Sequence, residues 1–294
     1  DRVRERNLTI DFSKDHARHI EQNGMKISRM SEIIGLFRAV IFCPEHLNII
    51  KEGPSMRRFY LDVAISQLRP LYLRSLQRYN HILQQRNKLI KNAEKDRKSF
   101  DATIEFWSAQ LAAEAANITK QRLRYIEAAE RELKVCFDEM TGGRETPSLE
   151  YDFSFKIKPE DAIDPRRAQE VFFSQLMSSH DREIYAGATL WGIHKDDLII
   201  RLDGKNARNF ASQGQQRSLA LGLKLSEAAI SASNTGESPV LLLDDVFSEL
   251  DAERRSYLCE RMKRGQVIMT ACSDVDLQNE HVNVIRVENG RYSS

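Results

Sequence analysis

The sequence has few of the features that mark secreted, membrane or metal-binding proteins. Its four cysteines, Cys43, Cys136, Cys259 and Cys272, form neither CxxC pairs nor the Cys/His spacing of zinc sites. No segment approaches the roughly 18 consecutive apolar residues of a membrane span, and the chain does not open with a signal-peptide pattern. These absences predict a cytoplasmic protein with reduced thiols and no membrane association.

An excess of charge of one sign is also lacking. The 44 lysines and arginines are balanced by 43 aspartates and glutamates, which gives a net charge of +1. A nucleic-acid site would therefore have to come from local clusters of basic residues. With 294 residues, of which 41% are hydrophobic, the chain exceeds the usual size of a single core. We expect two domains, or one domain with an insertion.

The first half of the chain changes from strand patterns to helix patterns. Residues 1–54 predict a small β element with an Asn23-Gly24 turn, a short helix over "MSEIIGLFRAV" and a buried strand in "AVIFCPEHL". Residues 55–143 carry helical periodicity in two long stretches, with a kink expected at Pro70 and a stop at Gly142-Gly143. Because the stretches are joined near residues 96–101, they predict an antiparallel helical arm.

Strands return in residues 144–294. The stretches "LEYDFSF", "DLIIRLDG" and "NARNFA" predict strands, and "NVIRVENGRY" predicts a closing hairpin. Between them, the order of "SPVLLLDD", the amphipathic stretch "DAERRSYLCERMKRG" and "QVIMTAC" predicts a parallel strand, helix, strand unit. The predicted fold class is an α/β head with a mixed sheet and flanking helices, into which an antiparallel helical arm is inserted. The predicted domains are residues 1–54 and 144–294, which form the two parts of the head, and residues 55–143, which form the arm.

The stretch "SQGQQRS" opens the apolar helix that follows it. Ser212 and Gln215 fit an S-x-x-Q capping box, which explains both residues without any ligand. Gly214 is not explained in this way, because a glycine in the first turn costs about 0.5–1 kcal/mol relative to alanine. A glycine at a helix N-terminus favours the close approach of an anion such as phosphate. Both interpretations stay open.

The stretch "VLLLDD" ends a predicted buried strand in two acids. Asp244 is placed to hold Mg²⁺, and Asp245 to polarise an attacking water, at the strand end where open α/β sheets bind ligands. Alternatively, the two acids cap the next helix. The following "SELD" weakens this alternative, because Ser248 and Asp251 already offer capping groups.

Together these motifs resemble the ATPase head of the ABC superfamily. "SQGQQ" is similar to the signature motif, "VLLLDD" to Walker B and "SELD" to the D-loop, while "TACSD" lies where the switch segment is expected. More narrowly, the chain closely resembles the RecF family of bacterial recombination mediators from about Ala39 to the C-terminus. The stretches that carry this resemblance are "FCPEHL", "GPSMRRFYLD", "GIHKDDL", "FASQGQQRSLALGLKLSE" and "LLLDDVFSELDAERR".

The resemblance implies that two heads sandwich ATP and Mg²⁺. The signature residues Ser212, Gly214, Gln215 and Gln216 would contact the nucleotide of the partner subunit, and Ser248 and Asp251 would form the D-loop. One family component is missing, since no GxxxxGK[ST] phosphate loop occurs in the chain. In the family this loop lies near the N-terminus. We therefore expect the first strand and P-loop to be absent, so that the chain alone binds ATP weakly and hydrolyses it negligibly.

"GIHKDD" contains a smaller departure from the family, with Ile193 in place of Pro and Lys195 in place of Arg. The charge is kept, so we expect little effect. For His194 we favour a hydrogen-bonded structural role over a functional one.

Basic residues near the start of the first long helical stretch and near the arm tip are candidates for DNA phosphate contacts. They are Arg57, Arg58, Arg86, Lys88, Lys91, Lys95, Arg97 and Lys98. The alternative is an ordinary solvated helix face, which the neighbouring Glu94 and Asp96 support. No aromatic stacking pattern is visible, so we expect backbone contacts without sequence specificity.

The resemblance also implies the partners: single-stranded and gapped double-stranded DNA, a second copy in an ATP-driven homodimer, and other recombination mediators. Two other classes stay open. One is a transporter ATPase subunit, against which the long arm argues. The other is a structural head-and-arm protein of the chromosome-maintenance type that bridges DNA.

Overall fold

A computed structural model describes residues 7–12, 19–263, 265–272, 282–288 and 290–293. The strands are β1 (Leu8–Asp11), β2 (His19–Gln22), β3 (Met25–Lys26), β4 (Ala39–Phe42), β5 (Pro147–Asp152), β6 (Asp197–Leu202), β7 (Lys205–Asn206), β8 (Val240–Asp244), β9 (Val267–Thr270), β10 (Arg286–Glu288) and β11 (Arg291–Ser293). The helices are α1 (Asn48–Lys51), α2 (Pro54–Leu68), α3 (Pro70–Asn92), α4 (Arg97–Thr141), α5 (Pro159–Ile163), α6 (Pro165–Met177), α7 (His180–Ala186), α8 (Ala207–Phe210), α9 (Gln213–Thr235) and α10 (Ala252–Met262). Within the described ranges, no helix is both long and apolar enough to cross a membrane.

A parallel sheet carries the acidic strand end. β8 lies between β4 and β9 and pairs with both in parallel, so that Phe42 is opposite Leu243 and Asp244 is opposite Thr270. Successive residues of a strand point to opposite faces, and Phe42 and Leu243 lie on the buried face. The carboxyl ends of the three strands meet at one edge, as the sequence of "VLLLDD" and "QVIMTAC" predicts.

The other strands form antiparallel sheets. β1, β2 and β3 form one sheet, β5, β6 and β7 another, and β10 and β11 a hairpin. Asn23 and Gly24 have φ of 53° and 77°, which is the left-handed conformation that a two-residue hairpin turn requires. The turn predicted from Asn23-Gly24 is therefore confirmed.

The predicted antiparallel arm consists of α3 and the first part of α4. Arg86 contacts Ser108 near the tip, and Tyr72 contacts Arg122 nearer the base. The two helices therefore run in opposite directions. Asp96 caps α4 by accepting the Ser99 N–H at 3.0 Å. A small apolar cluster at the tip contains Ile90, Ala93, Phe100 and Ile104.

The second part of α4 belongs to the main core. It packs against α9, β5 and α6, and the core runs without a break from α2 to α10. α4 and α9 approach closely, because a Cβ on Gly222 would lie 2.7 Å from Leu133 Cδ1. The core is thus continuous across residues 54 and 143. The predicted domain boundaries at those positions stay a prediction.

Three predictions of local structure are wrong or incomplete. The helix over "MSEIIGLFRAV" is only a 3-10 turn at Met30–Glu32, because Gly35 turns the chain with φ 87° where a Cβ would lie 2.6 Å from Gln67 O. "NARNFA" leaves the strand at Asn206, whose side chain accepts the Arg208 N–H and starts α8. Pro70 does not kink one helix but is the first residue of α3, after α2 has ended at Leu68.

Candidate nucleotide site and basic surfaces

The stretch "SQGQQRS" forms the N-terminus of α9 and contains the expected capping box. Ser212 Oγ accepts the Gln215 backbone N–H at 3.2 Å, and Gln215 Oε1 accepts the Ser212 N–H at 2.8 Å. Gly214 is exposed, and nothing lies within 4 Å of the position its Cβ would take. Capping therefore explains Ser212 and Gln215, whereas packing among the described residues gives no reason for the glycine.

The two glutamines of this stretch have different partners. Gln216 is buried, and its Nε2 donates to Ala211 O at 3.2 Å, which holds the backbone that enters the helix. Gln215 Nε2 donates to Glu145 Oε1 at 2.9 Å. Sequence reasoning missed Glu145, because 70 residues separate the two side chains and no local pattern signals the contact.

Asp244 and Asp245 lie at the carboxyl edge of the parallel sheet. Asp244 is exposed, and its Oδ1 accepts a hydrogen bond from Thr270 Oγ1 on β9. Asp245 has φ 48° and ψ 33°, and its backbone N–H donates to Thr270 O at 3.2 Å. This left-handed conformation is uncommon outside glycine, although Asp tolerates it better than most residues, and it turns the chain sharply at the edge.

The acids of "VLLLDD" do not cap the next helix. Asp251 caps α10 instead, because its Oδ1 accepts the Arg254 N–H at 2.9 Å. Asp245 precedes the 3-10 turn Val246–Glu249, but its side chain makes no capping hydrogen bond there. The alternative in which Asp244 and Asp245 act only as caps is therefore wrong. The side chain of Ser248, and the "SD" of "TACSD", lie outside the described residues.

The packing of α9 near the carboxyl edge of the parallel sheet involves the middle of the helix. α9 packs against the turn Pro44–Leu47, which follows β4 at the same edge as Asp244. Burial, together with the nearby Lys224 ammonium, lowers the pKa of His46 in this turn to about 4. Lys224, in the middle of α9, is therefore near this turn. Ser212 precedes Lys224 by twelve residues, which corresponds to about 18 Å along the helix axis at 1.5 Å per residue.

Asp244 and its neighbour supply only some of the ligands that a magnesium ion would need. No three His, Cys, Asp or Glu side chains converge on a possible metal site within the ranges that the structure covers. Asp244 offers a carboxylate and Thr270 a neighbouring hydroxyl, and oxygen ligands of this kind are those that Mg²⁺ prefers. The remaining ligands would have to be phosphate oxygens and water.

Two predicted DNA contacts are wrong, because the arginines are buried in ion pairs. Arg86 is fully buried and donates to Glu183 Oε2 at 2.6 Å and to Thr189 Oγ1 at 2.8 Å. Arg57 is 6% exposed, and two of its nitrogens each donate to a carboxylate oxygen of Asp197 at 2.8 Å. Neither guanidinium is available to a phosphate.

The other predicted basic residues lie at the surface. We call Lys88, Lys91, Lys95 and Lys98 the arm-tip lysines, and all four are exposed. Arg97 is also exposed, but it pairs with Asp101 at 2.9 Å. Arg58 is half-buried and donates to Asp196 O at 2.7 Å. The arm tip therefore exposes the four arm-tip lysines to solvent, together with the neighbouring acids Glu94, Asp96 and Asp101.

His194 has the structural role that the sequence favours. Its Nδ1 lies 2.7 Å from Tyr79 Oη, and its Nε2 lies 3.2 Å from Thr189 O. Burial lowers the pKa of His194 to about 4, and the cations Lys195, Arg58 and Arg86 contribute in the same direction. The ring is therefore neutral near pH 7 and joins the arm to the loop before β6.

Arg122 is a buried junction that sequence reasoning missed. Its guanidinium donates to Asp62 Oδ1 at 2.8 Å, Tyr151 Oη at 3.1 Å and Ile193 O at 2.9 Å. These contacts join α4 to α2, β5 and the loop before β6. No sequence signal identifies Arg122, because all of these partners are more than twenty residues away along the chain.

Comparison with curated proteins finds relatives along most of the chain. No protein-family model matches it. The DNA replication and repair protein RecF of Halothermothrix orenii is 38% identical over 297 residues, which cover 98% of this chain and 78% of the relative. RecF of Acetivibrio thermocellus is 38% identical and covers 97% and 77%. RecF of Streptococcus pyogenes is 37% identical and covers 88% and 68%.

Solved structures give the same assignment. The chain is similar to the recombination mediator protein RecF–ATPrS of the RecFOR pathway, with a TM-score of 0.86 and 33% identity over 97% of this chain and 75% of that one. For RecF–ATP the TM-score is 0.82 and the identity 34%, over 93% and 73%. The fold is thus the predicted ABC-type ATPase head with an inserted antiparallel helical arm. Given this similarity in sequence and structure over most of both chains, the protein belongs to the RecF family of DNA replication and repair proteins.

Proposed function

We propose that the protein acts as one half of an ATP-dependent dimeric clamp in recombinational DNA repair and replication restart. Its relatives are named DNA replication and repair proteins, and its structural neighbours are RecF–ATPrS and RecF–ATP. The observation that carries the proposal is the exposed N-terminus of α9, where nothing lies within 4 Å of the position that a Cβ on Gly214 would take. An open helix end of this kind favours a nucleotide whose phosphates are held between two copies.

In the proposed dimer, the signature end of one head completes the nucleotide site of the other. Ser212, Gly214 and Gln215 present a helix N-terminus without a lysine, and the open space at Gly214 lets a phosphate approach the backbone. Gln216 holds the entering backbone in place through Ala211 O. Such a site responds to the γ-phosphate, because the γ-phosphate lies between the subunits.

At the acidic edge, Asp244 would hold Mg²⁺ and Asp245 would polarise the attacking water. Thr270 positions Asp244 through its hydroxyl and holds the backbone of Asp245 through its carbonyl oxygen. Ser248 and Asp251 would form the D-loop between the subunits. A P-loop would supply the remaining phosphate contacts. Because the sequence contains no GxxxxGK[ST], we expect the 294-residue chain alone to bind ATP weakly and to be inactive.

DNA would bind on the arm tip. The arm-tip lysines and Arg97 would contact backbone phosphates of single-stranded or gapped double-stranded DNA without reading the sequence. Arg58, near the start of α2, would be a separate contact away from the tip. Other recombination mediator proteins are the expected protein partners, and the cytoplasm is the expected compartment.

The 45-residue α4 favours one alternative, a structural head-and-arm protein that bridges two DNA molecules. A bridging protein would join two labelled duplexes in a pull-down without ATP. The proposed clamp would retain one duplex, and only when ATP is present.

Light scattering tests the proposal. The chain is joined to the N-terminal P-loop segment of a RecF relative and measured with and without ATP and Mg²⁺. We expect ATP to double the molar mass and Ser212→Arg to prevent this, because the arginine fills the space before the open helix end. Ser212→Ala is the control for the removed cap, which costs about 1 kcal/mol of stability. ATP-driven dimerisation that Ser212→Arg leaves intact would contradict the proposal.

A further inference from the structure

Glu145 occupies an unusual position between the arm and the signature motif. It follows the Gly142-Gly143 turn that ends α4 and precedes β5. One carboxylate oxygen, Oε1, accepts from Gln215 Nε2 at 2.9 Å. The other, Oε2, is buried and has no hydrogen-bond partner within the described part of the chain. Buried oxygens without a partner are rare in folded proteins, so the position requires a reason beyond packing.

The contact with Glu145 decides which way the Gln215 amide points. The capping box needs Gln215 Oε1 to face the Ser212 N–H, which it accepts at 2.8 Å. If the amide turned over, its NH₂ group would meet that N–H and two donors would face each other. An ionised carboxylate only accepts hydrogen bonds. Glu145 therefore admits the amide orientation that preserves the cap and excludes the other.

The same segment also reaches the helix that follows the D-loop. Arg144, next to Glu145, pairs with Glu253 in the first turn of α10 at 3.5 Å, and Glu139 at the end of α4 pairs with Arg261. The C-terminal end of α4 and the residues just after it thus contact both the signature motif and the helix that follows the D-loop. Glu145 makes the hydrogen bond to the signature motif.

We infer that Glu145 is a positioning residue: by fixing the Gln215 amide, it holds the N-terminus of α9 in the geometry that receives the partner's nucleotide. The inference rests on the proposed function for its consequence, but not for the contact itself. A positioning role and a simple charge effect predict different results for Glu145→Gln. A negative charge near a helix N-terminus stabilises the helix whatever its hydrogen bond, so Glu145→Gln would then be as damaging as Glu145→Ala. If Glu145 acts through the bond, the glutamine's own oxygen can accept from Gln215 and rescue the interaction.

The contact is tested first in the 294-residue chain, by NMR of side-chain amides after selective ¹⁵N labelling of glutamine. The Gln215 NH₂ signal is assigned by its disappearance in Gln215→Ala. We expect Glu145→Ala to shift this signal and to speed its hydrogen exchange, and Glu145→Gln to leave it near its original position. An unchanged signal in Glu145→Ala would overturn the inference, whatever the fate of the proposed dimer.

The consequence is tested in the form joined to a P-loop segment, by titrating ATP and following dimerisation. We expect Glu145→Ala to raise the half-maximal ATP concentration about tenfold, the ratio that corresponds to about 1.4 kcal/mol, and Glu145→Gln to stay close to the unmodified protein. Glu150→Ala is the matched control, since Glu150 is an exposed glutamate on nearby β5 whose partner is Arg201.

The two measurements separate the possible failures. Equal dimerisation of Glu145→Ala and the unmodified protein, or equal damage by Glu145→Ala and Glu145→Gln, would overturn the positioning role. If the unmodified protein itself does not dimerise with ATP, the proposed function fails, and the NMR result alone decides whether Glu145 orients Gln215.

Discussion

Arg86 and Lys88 lie two residues apart on α3, yet one is enclosed in the arm and the other faces solvent. The same contrast separates two sets of basic residues. The interior arginines, Arg57, Arg86 and Arg122, donate to fixed carboxylates and carbonyl oxygens, whereas the arm-tip lysines are exposed. The planar arginine fork suits several fixed acceptors, while a lysine ammonium is strongly hydrated. A basic cluster in a sequence therefore combines residues that hold the fold with residues that are open to a partner.

The largest expected effect comes from Arg122. Arg122→Ala removes the cation that pairs with Asp62 and leaves the carbonyl oxygen of Ile193 without its buried donor, so we expect a decrease of about 3–5 kcal/mol in the free energy of unfolding. Urea denaturation measures it. Lys91→Ala at the arm tip is the control and should change stability by less than about 0.5 kcal/mol. If the two substitutions lowered the free energy of unfolding equally, interior arginines and surface lysines would not differ in their contribution to stability.

Arg86 sharpens the comparison, because its ion pair with Glu183 is fully buried. Arg86→Met alone should cost about 3 kcal/mol or more, since it leaves a buried carboxylate unpaired. The double variant Arg86→Met, Glu183→Leu should recover much of this stability, as apolar replacements of buried pairs often do. Thermal unfolding of the two single variants and the double variant measures the coupling. Additive effects on stability would show that Arg86 and Glu183 do not stabilise the protein through their ion pair.

His194 extends the comparison to pH. Its pKa of about 4 in the folded protein lies below the ordinary value of about 6.5, so between these values the unfolded chain binds a proton that the folded protein does not. The contribution of His194 to stability is therefore complete above about pH 6.5 and is lost as the pH falls towards 4. Relative to His194→Gln, the unmodified protein should lose about 3 kcal/mol over this range. Denaturation curves at pH 7 and pH 4.5 measure the difference, and parallel pH dependence in both proteins would contradict it.

The smallest effect on stability, but a large one on binding, is expected at the arm tip. Replacing all four arm-tip lysines by alanine should leave the melting temperature nearly unchanged. The slope of log affinity for single-stranded DNA against log salt concentration should fall by about 0.7 for each phosphate that the protein no longer neutralises. Fluorescence anisotropy at several salt concentrations measures the slope. An unchanged slope would show that the arm-tip lysines do not contact DNA phosphates.

Local patterns predicted the parts of the fold that local chemistry decides. Apolar runs located β8 and β9, helical periodicity located the arm, and Ser212 and Gln215 identified the capping box. The failures involve contacts made across the chain. Gly35 breaks a predicted helix because of Gln67, and Arg57 and Arg86 are buried because Asp197 and Glu183 meet them. No window of sequence contains both partners of these pairs.

The candidate site follows the same rule. Asp244, Asp245 and the signature residues stand out by type and spacing, and the structure places each group at a strand or helix end. Glu145, which bonds to the signature residue Gln215, comes from a distant segment and carries no signature of its own. Thr270, which bonds to Asp244, belongs to the expected switch segment "TACSD", but the sequence does not predict this contact.

The most direct test of the account mixes two defective variants of the form joined to a P-loop segment. Ser212→Arg disables the signature end, Asp244→Asn disables the acidic edge, and each alone should not hydrolyse ATP. If the two motifs act across a two-fold interface, a mixed dimer contains one intact composite site, which a Ser212→Arg homodimer lacks and through which ATP can still join the subunits. An equal mixture should then regain up to about a quarter of the unmodified activity. A mixture as inactive as either variant alone would show that the signature end does not complete the partner's site.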